Sequence, residues 1–100
     1  GIYCRKKGSL EAREEIILDL NVLAQEHEYL DLGSIGVCPN NRLLIYSIDT
    51  QGREFYTIYV KDLHDDSLLD IVIENTTGRV LWQSNTTIVF SLAFLIIKRL

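Results

Sequence analysis

The stretch Val37–Tyr46, VCPNNRLLIY, returns 44 residues later as Leu81–Phe90, LWQSNTTIVF. Val37 aligns with Leu81, Asn41 with Asn85, Leu44 with Ile88, Ile45 with Val89 and Tyr46 with Phe90. A period of about 40–45 residues made of short strands is that of one β-propeller blade, with four strands and their turns per repeat. Ordinary β-meanders produce the same spacing, so the pattern alone leaves both architectures open.

The residues between the two copies fit strands throughout. Ser34 to Cys38 reads as a short strand, and Pro39-Asn40-Asn41 as a turn in which Pro fixes φ and Asn tolerates the left-handed region. Leu43 to Ile48 is apolar at nearly every position, which predicts burial on both faces. A second turn at Asp49–Gly52 leads into a β-branched and aromatic strand from Phe55 to Val60. Leu63 to Asp66 turns, Leu68 to Ile73 forms a further strand, Asn75–Gly78 turns, and a new strand starts at Arg79. Upstream, residues 1–7 read as a strand broken at Gly8-Ser9. The segment LEAREEIILDL that follows, residues 10–20, fits either a helix capped by Ser9 or a short strand through Ile16-Ile17-Leu18. Asn21 is expected to cap a short helix through Gln25 or Glu26, with Val22 and Leu23 on its buried side.

Charge and composition exclude several classes of function. The chain has 100 residues, about one small domain, and 47% of them are apolar, which argues against disorder. A net charge of −4 predicts no nucleic-acid partner, because phosphate binding needs clustered Lys and Arg. Arg5-Lys6-Lys7 and Lys98-Arg99 are the basic runs, and both read as solvated ends. The apolar run Ile88–Ile97 is too short for a membrane-spanning helix, which needs about 20 residues, so no membrane partner is expected. No signal peptide is visible. Cys4 and Cys38 are too few for a disulfide scaffold. They read as free thiols in a reducing, cytoplasmic compartment, with Cys38 a small buried hydrophobe. The sequons at Asn75 and Asn85 would matter only in a secreted chain.

The search for chemistry returns no catalytic, cofactor-binding or metal-binding residue. Leu32-Gly33-Ser34-Ile35-Gly36 is the nearest approach to a Gly-x-Ser-x-Gly elbow, but its glycines are misplaced and it precedes a strand, not a helix. His27 and His64 do not pair with the cysteines at zinc spacing. Asp62, Asp65 and Asp66 lack the glycine and distal Glu of a calcium loop and read as a solvated turn. Tyr46, Phe55, Tyr56, Tyr59 and Trp82 are assigned to packing, not to base stacking.

Several segments in register carry a resemblance: CRKKGSLEA, EEIILDLNVLA, HEYLDLG, LLIYSIDTQGREFYTIYVKDL and IENTTGRVLW, together covering about Tyr3 to Phe90. The chain resembles the oligopeptidase B group of the prolyl oligopeptidase family of serine peptidases. The resemblance implies an all-β fold of about one and a half blades of a seven-bladed propeller, four antiparallel strands per blade, with a short helix near residues 21–26. It makes EEIILDL a strand or extended segment. It implies that residues 1–33 end a preceding blade and link to the next, that 34–77 form one blade, and that 78–100 begin another with an atypical apolar tail. The family's Ser-Asp-His triad lies on an α/β-hydrolase domain, the implied partner within the parent chain, and no position here matches it. The implied activity of the intact enzyme is cleavage of short basic peptides after Arg or Lys, with the propeller restricting access. A stand-alone β-protein acting as a binding module is the alternative.

The chain departs from the family at Cys38-Pro39-Asn40-Asn41, at Gly52-Arg53-Glu54, at Arg13 and above all in the tail SLAFLIIKRL, which suggests a truncated, frame-shifted or partial product. Blades bury their faces against neighbours. Large side chains among Ile45, Phe55, Ile58, Val60, Leu81, Trp82 and Phe90 are therefore expected to be left exposed in a lone chain. Each forfeits about 1.5–3 kcal/mol, against a domain stability of about 5–15 kcal/mol. Aggregation, association through open strand edges or partial unfolding is the expected result.

Overall fold

The computed structural model describes residues 1–100 apart from 7, 9, 10, 12, 93 and 94; for Leu95 it describes the backbone. The described residues form three antiparallel sheets. Strands β1 (Ile2–Lys6) and β2 (Glu14–Asp19) pair in the first. A five-residue helix, α1 (Leu20–Ala24), leads on to the second, which has the order β3 (Asp31–Val37), β4 (Leu43–Asp49), β5 (Tyr56–Asp62), β6 (Ser67–Thr76). The third has the order β7 (Val80–Trp82), β8 (Thr87–Ser91), β9 (Leu95–Arg99).

The near-continuous apolar run of β4 places it at the centre. Side chains alternate across a sheet, so Leu44, Tyr46 and Ile48 face one way and Ile45 the other. The first set packs with Ile17 and Leu18 of β2. Ile45 packs with Ile58 and Val60 of β5 and with Val80, Ile88 and Phe90 of the third sheet. Leu44, Ile45, Ile58, Val60 and Ile88 are wholly buried. Cross-strand register builds both layers: Ile45 lies opposite Val60, and Tyr46 opposite Tyr59, their rings stacked with centroids 5.5 Å apart. A bulge between Leu32 and Ser34 reverses the parity of β3. Leu32 and, beyond the bulge, Ile35 and Val37 therefore all reach the first layer.

Turn chemistry follows the residues. Asn41 takes the expected left-handed conformation (φ 63°), as do Asn75 and Asp66 (both φ 60°). The segment EEIILD is strand β2, as the resemblance implied. Ser9 lies outside the described residues, so the helix-cap reading there has no counterpart. The short helix differs in detail from the expectation. Its cap is Asp19, not Asn21: the Asp19 carboxylate accepts from Asn21 N at 2.9 Å and from Val22 N at 3.4 Å, which places Asn21 inside the first turn. Val22 is 56% exposed, and only Leu20 and Leu23 of α1 reach the core. The strand after Asp49–Gly52 begins at Tyr56, leaving Phe55 in the turn.

In the tail, residues 95–99 form β9, paired along β8 with Phe90 opposite Ile96 and Val89 opposite Ile97. One further expectation needs correction: the blade-facing side chains are not left open. Ile45, Ile58, Val60 and Phe90 are buried and Trp82 is half-buried; of the named set, Phe55 and Leu81 are exposed. The reason is that the flanking sheets, though incomplete, each lie over one face of the central sheet.

Ile45→Ala should therefore cost about 2–5 kcal/mol, the range for emptying a packed site. Leu81→Ala should stay within about 0.5 kcal/mol, as at an open surface. Urea unfolding of the two variants checks the contrast.

Candidate functional site

The residues singled out for chemistry lie in different parts of the structure, from β3 to the β5–β6 turn. Ser34 sits on β3, and its hydroxyl donates to the Gly78 carbonyl at 2.6 Å. His27 follows α1 and is exposed. His64 is exposed in the β5–β6 turn, where its backbone N–H donates to Asp62 Oδ1 at 2.9 Å. The carboxylates of the acidic turn have partners within the protein. Asp62 pairs with Arg42, Asp66 pairs with Lys61 at 2.6 Å, and Asp65 accepts from the Ser67 hydroxyl. That Ser67 bond is the main reason the Asp65 carboxyl lies below its ordinary value. Among the described residues no group of three or more His, Cys, Asp and Glu side chains could hold a metal ion. Cys38 is buried, its thiol donating to Asn40 Oδ1 and accepting from Leu43 N; Cys4 is exposed, and both are free thiols.

The sequence did not flag the residues that join the second and third sheets. The Gly78 carbonyl accepts from two hydroxyls, Ser34 and Ser47, each at 2.6 Å. Ser47 is fully buried, and its oxygen also accepts from Ser34 N. The Tyr56 ring lies on this junction: a Cβ added at Gly78 (φ 92°) would come within 2.8 Å of it, and one at Gly33 would meet Ser47 Oγ at 2.6 Å. The Tyr56 hydroxyl donates to Asp31, and that bond, followed by burial, pushes the phenol up to about 12. At the opposite end of the strands, Asn40 N donates to Asn85 Oδ1 at 2.8 Å, and the Trp82 indole donates to the Gly36 carbonyl at 3.0 Å. Ser34 and Gly78 are 44 residues apart, so the repeat unit bonds directly to its own next copy. The 44-residue period was the available signal for this junction; Tyr56 was assigned to packing without its partner, and the role of Ser47 had no signal.

The β4–β5 turn is organised by one carboxylate. Asp49 is buried and accepts from the N–H groups of Gln51, Gly52 and Glu54 at 2.8–3.0 Å. The Gln51 bond above all holds its carboxyl below the usual range, against burial, which pushes it up.

These contacts hold three sheets face against face, the construction of a β-propeller, in which successive blades are joined by short links. The description "Prolyl oligopeptidase, N-terminal beta-propeller domain" matches residues 1–93. The chain therefore belongs to that family. It is 35% identical over 79 residues to dipeptidyl aminopeptidase BI of Pseudoxanthomonas mexicana, covering 79% of this chain and 11% of the relative. It is 37% identical over 79 residues to protease 2 of Moraxella lacunata, covering 74% of this chain and again 11% of the relative. Among solved structures it superposes on oligopeptidase B from Leishmania major with a TM-score of 0.77 at 28% identity, over 89% of this chain and 13% of that one. The chain thus spans about a ninth of the length of the curated relatives it matches.

Gly78→Ala should destabilise by at least about 1–3 kcal/mol, since its left-handed backbone is costly for a residue with a Cβ and that Cβ meets the Tyr56 ring. Thermal unfolding measures it, and removing the ring in the double variant should recover only part of the loss. Asp49 supplies the pH dependence. Its lowered value means that its contribution is complete above the ordinary carboxylate value of about 4 and is lost as pH falls through the lowered one. Asp49→Asn should therefore flatten the acid limb of a stability-versus-pH curve, leaving the part due to Asp65.

Proposed function

We propose that this chain is propeller wall of a serine oligopeptidase of the prolyl oligopeptidase type. Under this reading residues 1–33 end one blade and lead into the next, 34–77 form a blade, and 78–100 begin another. The wall limits entry to an active site carried on an α/β-hydrolase domain, in an enzyme that cleaves short peptides after Arg or Lys in the cytoplasm. The observation that carries the proposal is the family match over residues 1–93, with the central sheet covered on both faces in the manner of a blade. The names of the relatives, a protease and a dipeptidyl aminopeptidase, support peptide bonds as the target. The two free thiols support a reducing setting. The basic-residue preference rests on the likeness to oligopeptidase B.

A blade exchange tests it. Residues 31–76 replace the matching blade of the Leishmania major enzyme, and hydrolysis of Arg- and Lys-containing short peptides and of a long unfolded protein is measured. The expected chimera cleaves the short peptides and spares the long chain. A folded chimera that digests long chains would contradict a gating role, and one that prefers other residues would contradict the specificity. The chain alone should show no hydrolysis and no labelling by a fluorophosphonate.

A further inference from the structure

We draw no further inference here: the strongest candidate, the apolar groove of about 390 Å³ between β2, α1 and β6 lined by Ile16, Leu18, Val22, Leu23 and Leu68, carries nothing, because nothing in the structure shows what covers it.

Discussion

Everything in this molecule depends on β4 being buried on both faces. A strand that alternates apolar and polar residues can be satisfied by one partner layer and water. Leu44, Ile45, Tyr46 and Ile48 cannot, because they are buried in alternate directions. The strand needs a sheet on each side, and the chain supplies one from the residues before it and one from the residues after. This is why a short chain contains three sheets instead of one compact sandwich. Where a polar residue does fall within β4 it has a defined partner. Ser47 bonds to the Gly78 carbonyl, and Asp49 gathers the N–H groups of its own turn. Buried polar groups are tolerated when so bonded.

The same requirement explains the junction between sheets. For the second and third sheets to approach face to face, the link from β6 to β7 must fold tightly over the end of β5. Gly78 allows this through its left-handed backbone and through the absence of a side chain where Tyr56 packs. Its carbonyl, turned inward by that conformation, is then satisfied by two serines from the neighbouring strands. On the other face the connection is looser: Arg5 bonds to the Asn41 carbonyl and pairs with Glu15, and the Lys61 ammonium donates to the Ile17 carbonyl. The apolar contact of Ile17 and Leu18 with β4 does most of the holding there.

Much of this was legible in the residues, and some of it was not. The 44-residue period located the central sheet and its next copy, and the direct bond from Ser34 to Gly78 is that period made physical. Asn41 announced its turn, and the apolar run Leu43–Ile48 announced burial on both faces. The helix cap was misjudged, and the bulge in β3 went unseen. Asp19 rather than Asn21 caps the helix because strand β2 runs directly into it. The bulge at Leu32 and Ser34 reverses which residues of β3 face the core, and no local pattern marks it. Residues 95–99 join the third sheet, where an apolar segment beside the open edge of β8 is more stable paired than free.

The account stands on β4 and β5 being the best-protected part of the fold, held from both sides. Native-state hydrogen exchange followed residue by residue measures this directly, since protection tracks the free energy of local opening. The amides of Leu44–Ile48 and Ile58–Val60 should exchange most slowly, those of β8 next, and those of β1 and β9 fastest among the strands. If β1 or β9 proved as protected as β4, or if β4 exchanged as freely as the edges, the picture of a central blade clamped between two partial neighbours would be wrong.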